Sequence, residues 1–286
     1  MAAVAFVIGL VTGAGAGGGE KAAAGPELPL GGRALIPAYR LVGFFGHPQD
    51  EELGELGIGT PAEVAERLEN QADDYEIGDR PVQPTFELIA TIASRTPGDS
   101  GLYREDTDHA LIQKYLDAAR AAKAYLILDI QPGYEDFLTA AKRLEPFLKE
   151  PDVGLALDPE WHVPEGTIPG QEIGSVFASD VNEVGEYLSQ LVTQHKLPQK
   201  LLLVHSFTED MIKQRGRLVR YPGLATVINI DGFGTPGEKT LKYQQISRPP
   251  PTWHWGFKLF YKEDTDLMSP DTVMKITPRP DIVLYE

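Results

Sequence analysis

Two carboxylates, Asp158 and Glu160, follow the short apolar run that begins at Val153 and are separated by Pro159. An apolar run of this length is typical of a strand buried on both faces in a parallel sheet covered by helices, and such sheets bind ligands at the carboxyl ends of their strands. Two carboxylates in one site push their pKa values apart, so that one stays protonated while the other is ionised. We therefore predict glycoside hydrolysis, with Glu160 as the general acid and Asp158 as its orienter. The alternative is a solvated Asp-Pro turn from which Glu160 points away.

Ionisable side chains also lie within or at the ends of the other predicted strands. They are His47, Glu87, Asp129, His205, Asp231 and Lys258. Because buried charges are costly unless they are paired, this recurrence predicts one shared polar site. Glu87, Asp129 and Asp231 are the candidates for a second catalytic carboxylate, and we favour Asp129 or Asp231. A separation from Glu160 of about 5 Å would predict a retaining mechanism, and one of about 6.5–9.5 Å an inverting mechanism.

A further group of residues near strand boundaries is predicted to bind the substrate. They are His47, His205, Lys258, Trp161, Trp255 and Tyr134. We interpret Lys258 as a cation paired with a neighbouring acid, with a Schiff-base lysine as the alternative. The aromatic rings would stack on the apolar faces of sugars, or would instead cap the barrel and pack under loops.

Four of these side chains also suit a divalent metal: His47, Glu87, Asp129 and His205. Imidazole and carboxylate groups from different strands are common metal ligands, but the spacing here contains no compact ligand motif. We therefore predict no cofactor, with a divalent metal as the alternative. A metal-dependent hydrolase, for example of phosphodiesters, is the second functional hypothesis, and a non-catalytic carbohydrate-binding barrel is the third.

Strands and helices alternate along the chain. The predicted strands cover residues 41–47, 85–91, 125–130, the run that opens at 153, 201–205, 225–231, 255–260 and 281–285. The predicted helices cover about 60–75, 108–122, 134–148, 180–195, 238–246 and 269–275. This order is typical of right-handed βαβ units with parallel strands. Eight such strands, with no glycine-rich phosphate-binding sequence after the first, predict one α/β domain over residues 33–286, a (β/α)8 TIM-type barrel.

The amino-acid composition limits which binding partners and which chemistry are expected. The 286-residue chain has a formal net charge of −16 and no run of Lys and Arg, which argues against nucleic acid and anionic membrane surfaces. It has no cysteine, so disulfides and thiolate chemistry are excluded.

Residues 1–32 are interpreted as a signal-like, flexible leader, because an apolar stretch at 4–12 suits a signal peptide and is too short to span a membrane. We expect a secreted or cell-surface protein with a carbohydrate substrate and without an integral membrane span in the mature chain. No basic residue precedes Lys21, so a cytoplasmic location stays open, as does the oligomeric state.

Two resemblances add to this interpretation. The stretch ending in Asp158 and Glu160 resembles the fourth-strand signature of chitinase-like barrel glycosidases, in which an Asp-x-Glu pair ends the strand and the Glu donates the proton. Only these two residues carry over, since the positions of the family's two earlier aspartates hold Val153 and Ala156. In the commonest retaining barrel glycosidases the seventh strand supplies a nucleophilic Glu, and Lys258 at the equivalent position argues against that subclass.

The second resemblance covers the chain from about Pro37 onward. It is similar to a set of uncharacterised, often exported bacterial barrel proteins that share the elements Leu-Ala-Leu-Asp-Pro-Glu-Trp and Asp-Gly-Phe-Gly. This resemblance implies a shared fold and site and no particular activity.

Overall fold

A closed barrel of eight parallel strands forms the centre of the protein. The computed structural model describes residues 25–78, 80–248 and 253–286. The barrel strands are β1 (Arg40–Gly46), β2 (Val82–Ala93), β3 (Tyr125–Ile130), β4 (Val153–Leu157), β5 (Lys200–Ser206), β6 (Leu224–Ile230), β7 (His254–Leu259) and β8 (Ile282–Tyr285). Each strand pairs in parallel with the next in chain order, and β8 pairs with β1, which closes the barrel. The predicted (β/α)8 TIM-type fold is confirmed.

Helices cover the outside of the barrel in most connections between strands. They are α1 (Pro61–Asp73), α2 (His109–Ala121), α3 (Phe137–Arg143), α4 (Glu145–Leu148), α5 (Ala178–Gln194), α6 (Pro236–Ile246) and α7 (Pro270–Val273). Both α1 and α6 begin with a proline after a threonine N-cap, and Thr60 and Thr235 each form a capping box with the glutamate three residues later.

Two connections depart from the regular alternation of strands with single helices. The single helix expected over 134–148 is divided into α3 and α4, because Pro146 cannot donate a backbone hydrogen bond and its ring clashes with the preceding turn. The connection from β5 to β6, which is described throughout, contains a 3-10 turn at Arg215–Arg217 in place of an α-helix.

The strand side chains alternate between two cores, as the pleat requires. Outward-facing residues such as Leu126 and Val204 pack against the helices, and inward-facing residues such as Ile127 and Leu203 fill the lower barrel. Two residues further along the same strands, the inward positions become polar. The barrel interior is therefore apolar at the amino ends of the strands and polar at their carboxyl ends.

The predicted leader lies largely outside the described residues. Its last part, residues 25–32, is described, and Leu28 joins the inner core with Leu41 and Tyr125 at the amino ends of the strands. Packing against the barrel therefore starts before the predicted boundary at residue 33. Among the described residues, no helix combines the length and apolarity needed to cross a membrane.

Candidate active site

The carboxyl end of the barrel interior holds a group of side chains that we call the polar layer. It consists of Glu87, Asp129, Asp158, His205, Asn229, Asp231, Lys258 and Glu286. These residues come from β2 to β8 or from the positions directly after them. Glu87 and Asp129 are fully buried, and Asp158 and Lys258 are each 4% exposed. The structure thus brings together side chains that are up to 199 residues apart in the sequence, from Glu87 to Glu286.

His205 links separate strands within the polar layer. Its Nε2 lies 2.8 Å from Oε1 of Glu87, and its Nδ1 lies 2.7 Å from Oδ2 of Asp231. Each ring nitrogen thus faces a carboxyl oxygen, and a protonated imidazolium ring satisfies this arrangement by donating a hydrogen bond from both nitrogens. Burial alone would lower the pKa of His205, but the charges of Asp231 and Glu87 outweigh burial and raise the pKa well above its usual value.

Asp231 is the acid that the polar layer keeps ionised. Burial alone would raise its pKa, but the charge and hydrogen bond of His205 lower it. A further hydrogen bond reaches Oδ1 of Asp231 from Nδ2 of Asn229 at 2.5 Å. Two donors therefore fix the orientation of this carboxylate.

The pKa values of Asp158 and Glu160 are raised, in contrast to that of Asp231. Burial, followed by the charge of Asp231, raises the pKa of Glu160 to about 7. Burial and the charge of Glu160 raise the pKa of Asp158 well above its usual value. The barrel mouth therefore holds an acid, Glu160, that keeps its proton near neutral pH close to the ionised Asp231.

An open cavity of about 330 Å³ lies over Glu160 and Asp231. Its lining includes Glu160, Phe207, Asp231, Phe233, Lys242, Lys258, Phe260 and Glu286. Phe233 is 65% exposed and contacts Phe260 edge to face at a ring separation of 6.1 Å. A larger groove of about 590 Å³ lies beside α1, but its lining, which includes Asp73, Asp74 and Tyr261, contains no residue of the polar layer.

Lys258 is paired with an acid. Its Nζ lies 2.6 Å from Oε2 of Glu286 and 3.4 Å from the centroid of the Phe45 ring. Burial alone would lower the pKa of Lys258, but the charges of Glu286 and Asp231 raise it above its usual value. A Schiff-base lysine needs a lowered pKa, so this geometry fits the interpretation of Lys258 as a paired cation.

Glu87 and Asp129 contain carboxylate oxygens that lack a partner. Both oxygens of Asp129 and Oε2 of Glu87 are buried without a hydrogen-bond partner among the described residues. One oxygen from each acid and one ring nitrogen of His205 lie within 4.8 Å of one another. Burial, opposed by the charge of His205, raises the pKa of Asp129 to about 7.

His47 does not join the three other side chains predicted to bind a metal with it. Its Nε2 lies 3.2 Å from Oγ1 of Thr107, and the backbone N–H of Gln49 donates to its Nδ1 at 3.3 Å. Burial lowers the pKa of His47, which favours the neutral ring that this pattern requires. The predicted four-residue set is reduced to Glu87, Asp129 and His205, because the two ring nitrogens of His47 contact Thr107 and the backbone of Gln49 instead.

The three predicted aromatic platforms lie elsewhere. Trp255 faces the outer core near the start of β7, since it alternates with the inward-facing Gly256. Trp161 packs beside Gly170 in the connection between β4 and α5, and the Tyr134 hydroxyl donates to the carbonyl of Thr167 at 2.9 Å. The cavity lining contains none of these three rings, and its aromatic surface comes from Phe207, Phe233 and Phe260.

Sequence reasoning missed several residues of the site. Asn229 lies two positions before Asp231, and Glu286 lies two positions after the inward-facing Leu284, so strand alternation was the available signal for both. Phe207 and Phe233 carried no such signal, because they lie in loops beyond the strand ends.

Comparisons with known proteins leave the family of the chain open. No family model and no curated protein matches it. Among solved structures, the chain is similar to the crystal structure of the Clostridial cellulose synthase subunit Z (CcsZ) from Clostridioides difficile. That alignment covers 86% of this chain and 91% of the other, with 8% sequence identity and a TM-score of 0.48. The function must therefore be inferred from the residues at the barrel mouth.

Proposed function

We propose that the protein is a glycoside hydrolase-like enzyme that acts on an oligo- or polysaccharide. The observation that carries this proposal is the placement of Glu160 and Asp231 in one cavity of about 330 Å³ with aromatic walls. Two carboxyl groups on either side of a bound sugar are the equipment of glycoside hydrolysis. A cavity of this volume holds a ligand of roughly one or two sugar rings, at the lower end of the range of about 300–1,000 Å³ for small-molecule sites.

Glu160 acts as the general acid in this proposal. Its proton moves to the glycosidic oxygen as the bond from that oxygen to the anomeric carbon breaks. Burial raises the pKa of Glu160 to about 7, so the group keeps its proton up to near neutral pH. We assign the role of orienting Glu160 to Asp158, which is buried beside it and whose pKa is raised by burial and by the charge of Glu160.

Asp231 acts as the second carboxylate. The hydrogen bonds from His205 and Asn229 fix its orientation and leave it as an acceptor. It either attacks the anomeric carbon or takes a proton from the water that does so. The configuration of the first product, read by proton NMR, distinguishes these two roles.

The phenylalanines provide the sugar-binding surface. Phe233 is 65% exposed although it is a large apolar residue, and it lies at the cavity with Phe207 and Phe260. Sugar rings present apolar C–H faces that pack on such rings. A bound sugar would cover this exposed apolar surface, which supports a carbohydrate over a highly charged ligand.

The test is hydrolysis of a panel of oligosaccharides and aryl glycosides. We expect Glu160→Gln to lower kcat by about 10²–10⁴-fold on substrates with poor leaving groups, and we expect the wild-type kcat/KM to fall as pH rises through about 7. His47→Gln is the matched control, since His47 is a buried residue of the same barrel end outside the cavity.

Two results would count against the proposal. Unchanged turnover in Glu160→Gln would remove Glu160 as the acid. Saturable glycan binding by the wild-type protein without any turnover would support the non-catalytic carbohydrate-binding barrel instead.

A further inference from the structure

We propose that Glu87, Asp129 and His205 bind one divalent transition-metal ion, such as Mn²⁺ or Zn²⁺, beneath the cavity. This site goes beyond the proposed function, because Glu160 and Asp231 can carry out acid–base chemistry without a metal. The three side chains come from β2, β3 and β5 and are each no more than 1% exposed. They are held by strands of the barrel wall, which makes a preformed site.

The spacing of the three side chains fits a metal ion. Their nearest ligand atoms all lie within 4.8 Å of one another, with Nε2 of His205 at 2.8 Å from Glu87 and 3.9 Å from Asp129. Ligands bound at about 2.0–2.6 Å from one ion are separated by up to about 5 Å. Two carboxylates and one imidazole form a mixed oxygen and nitrogen set, which suits Mn²⁺ or Zn²⁺.

Asp129 is an independent sign of a missing ligand. Both of its carboxylate oxygens are fully buried and lack a hydrogen-bond partner among the described residues. Leaving a buried polar group without a partner costs about 1–3 kcal/mol, and more when it is charged. A cation coordinated by Asp129 and by the equally unpartnered Oε2 of Glu87 would remove this cost.

Histidines that bind a metal through one ring nitrogen usually donate a hydrogen bond from the other nitrogen, and His205 has such a hydrogen bond. Its Nδ1–H donates to Asp231, whose other oxygen accepts from Asn229. A hydrogen bond of this kind fixes the ring and directs Nε2 to the metal. On binding, the Nε2 proton now donated to Glu87 would be released to solvent, and the metal would take its place.

The charges of the polar layer also favour a cation. Six carboxyl groups, Glu87, Asp129, Asp158, Glu160, Asp231 and Glu286, surround the basic groups of Lys258 and His205. With Asp158 and Glu160 protonated, the four carboxyl groups of Glu87, Asp129, Asp231 and Glu286 still outnumber the two basic groups, and carboxylates in excess of their cations are unfavourable in a barrel interior. A divalent ion at the deepest of these acids would offset part of that excess.

The experiment is a titration of the full-length, EDTA-treated and dialysed protein with Mn²⁺, following the electron paramagnetic resonance signal of the free ion. We expect one site per chain, and we expect Asp129→Asn and Glu87→Gln each to weaken binding at least about tenfold. Zn²⁺ is expected to compete for the site, and Mn²⁺ is expected to raise the melting temperature of the wild-type protein more than that of Asp129→Asn or Glu87→Gln.

Matched controls separate this site from weak binding elsewhere. His47→Gln changes a nearby histidine outside the cluster, and Asp74→Asn changes the acidic groove beside α1. Both should keep the wild-type affinity within about twofold, as expected for residues that are neither ligands nor their partners. Circular dichroism confirms the fold of each variant, and two different ligand variants are used so that one failure to fold does not decide the result.

Absence of Mn²⁺ and Zn²⁺ binding by the wild-type protein at millimolar concentration would overturn the inference. Binding of unchanged affinity in both Asp129→Asn and Glu87→Gln would also overturn it. The readout requires no substrate, so it is independent of the proposed glycosidase activity. If the protein shows Glu160-dependent turnover in EDTA and binds no metal, the metal site is ruled out. The proposed glycosidase function would then stand.

Discussion

His205 shows how a single residue can decide the protonation of a site. Its two ring nitrogens reach Glu87 and Asp231, which belong to opposite parts of the chain. Its positive charge lowers the pKa of Asp231, while Glu160, which has no such donor, keeps a pKa of about 7. Two similar carboxyl groups therefore differ in pKa, because only Asp231 forms a hydrogen bond with the histidine.

Lys258 is the second residue whose charge the site depends on, and its loss should destabilise the fold. Lys258→Met leaves Glu286 without the partner that now lies 2.6 Å away. Breaking a buried ion pair costs about 3–5 kcal/mol, so we expect a loss near the lower end of that range because the Glu286 side chain is 26% exposed. Urea unfolding at constant pH measures the change.

The control for this prediction is Lys262→Met, a lysine that is 57% exposed and lies 3.7 Å from Glu52. It should change stability by no more than about 0.5 kcal/mol. The double variant Lys258→Met/Glu286→Gln should recover part of the loss, because the unpaired acid is removed. Equal stability of Lys258→Met and the wild-type protein would contradict the importance of the pair.

At the scale of elements, the close approach of β6 and β7 connects strand packing to the site. Gly256 of β7 is opposite Asn229 of β6, and a Cβ at Gly256 would lie 2.1 Å from Oδ1 of Asn229 and 2.7 Å from Cγ2 of Ile282. Asn229 in turn donates to Asp231. A glycine in the strand therefore leaves the space that Asn229 needs to hold the carboxylate.

Gly256→Ala should weaken both the fold and the activity. Forcing a methyl group into this space costs about 1–3 kcal/mol, and it displaces Asn229 from Asp231, so kcat should fall as well. Gly237→Ala in α6 is the control, since a Cβ there meets no atom within 4 Å and alanine is favoured over glycine in helices by about 0.5–1 kcal/mol. Similar behaviour of the two variants in urea unfolding would refute this role of Gly256.

At the scale of the whole molecule, the acidic barrel interior makes stability depend on pH. Folding raises the pKa of Glu160 from 4.5 to about 7, and it raises that of Asp158 in the same direction. A carboxyl group whose pKa is raised by folding stabilises the native state below its unfolded pKa, and this contribution is lost as pH rises through the folded pKa. The free energy of unfolding should therefore fall between about pH 5 and pH 7.

The contribution of Glu160 to this fall should be on the order of 2–3 kcal/mol, from the difference between its two pKa values. Urea unfolding across this pH range, in EDTA to exclude metal binding, measures it. Glu160→Gln cannot titrate and should give a flatter curve than the wild-type protein. A stability that is constant or rises from pH 5 to pH 7 in the wild-type protein would contradict this account.

Local patterns were sufficient to predict the architecture. The predicted strand 125–130 matches β3 residue for residue, and Thr60 with Glu63 marks the start of α1 in the sequence as it does in the structure. The sequence pattern did not show which face of a strand points into the barrel. Trp255 and Lys258 belong to the same predicted strand, but only Lys258 points into the barrel.

The sequence by itself determined the eight parallel strands and the acidic character of the barrel mouth, because hydrophobic runs and strand-end residues are local features of the chain. Tertiary structure alone decided that His205 lies between Glu87 and Asp231, that His47 bonds elsewhere, and that Glu160 shares its cavity with Asp231. The physical reason is that pKa values and ligand geometry depend on distances of a few ångströms between strands. Those distances follow from the closure and register of the barrel, to which all eight strands contribute.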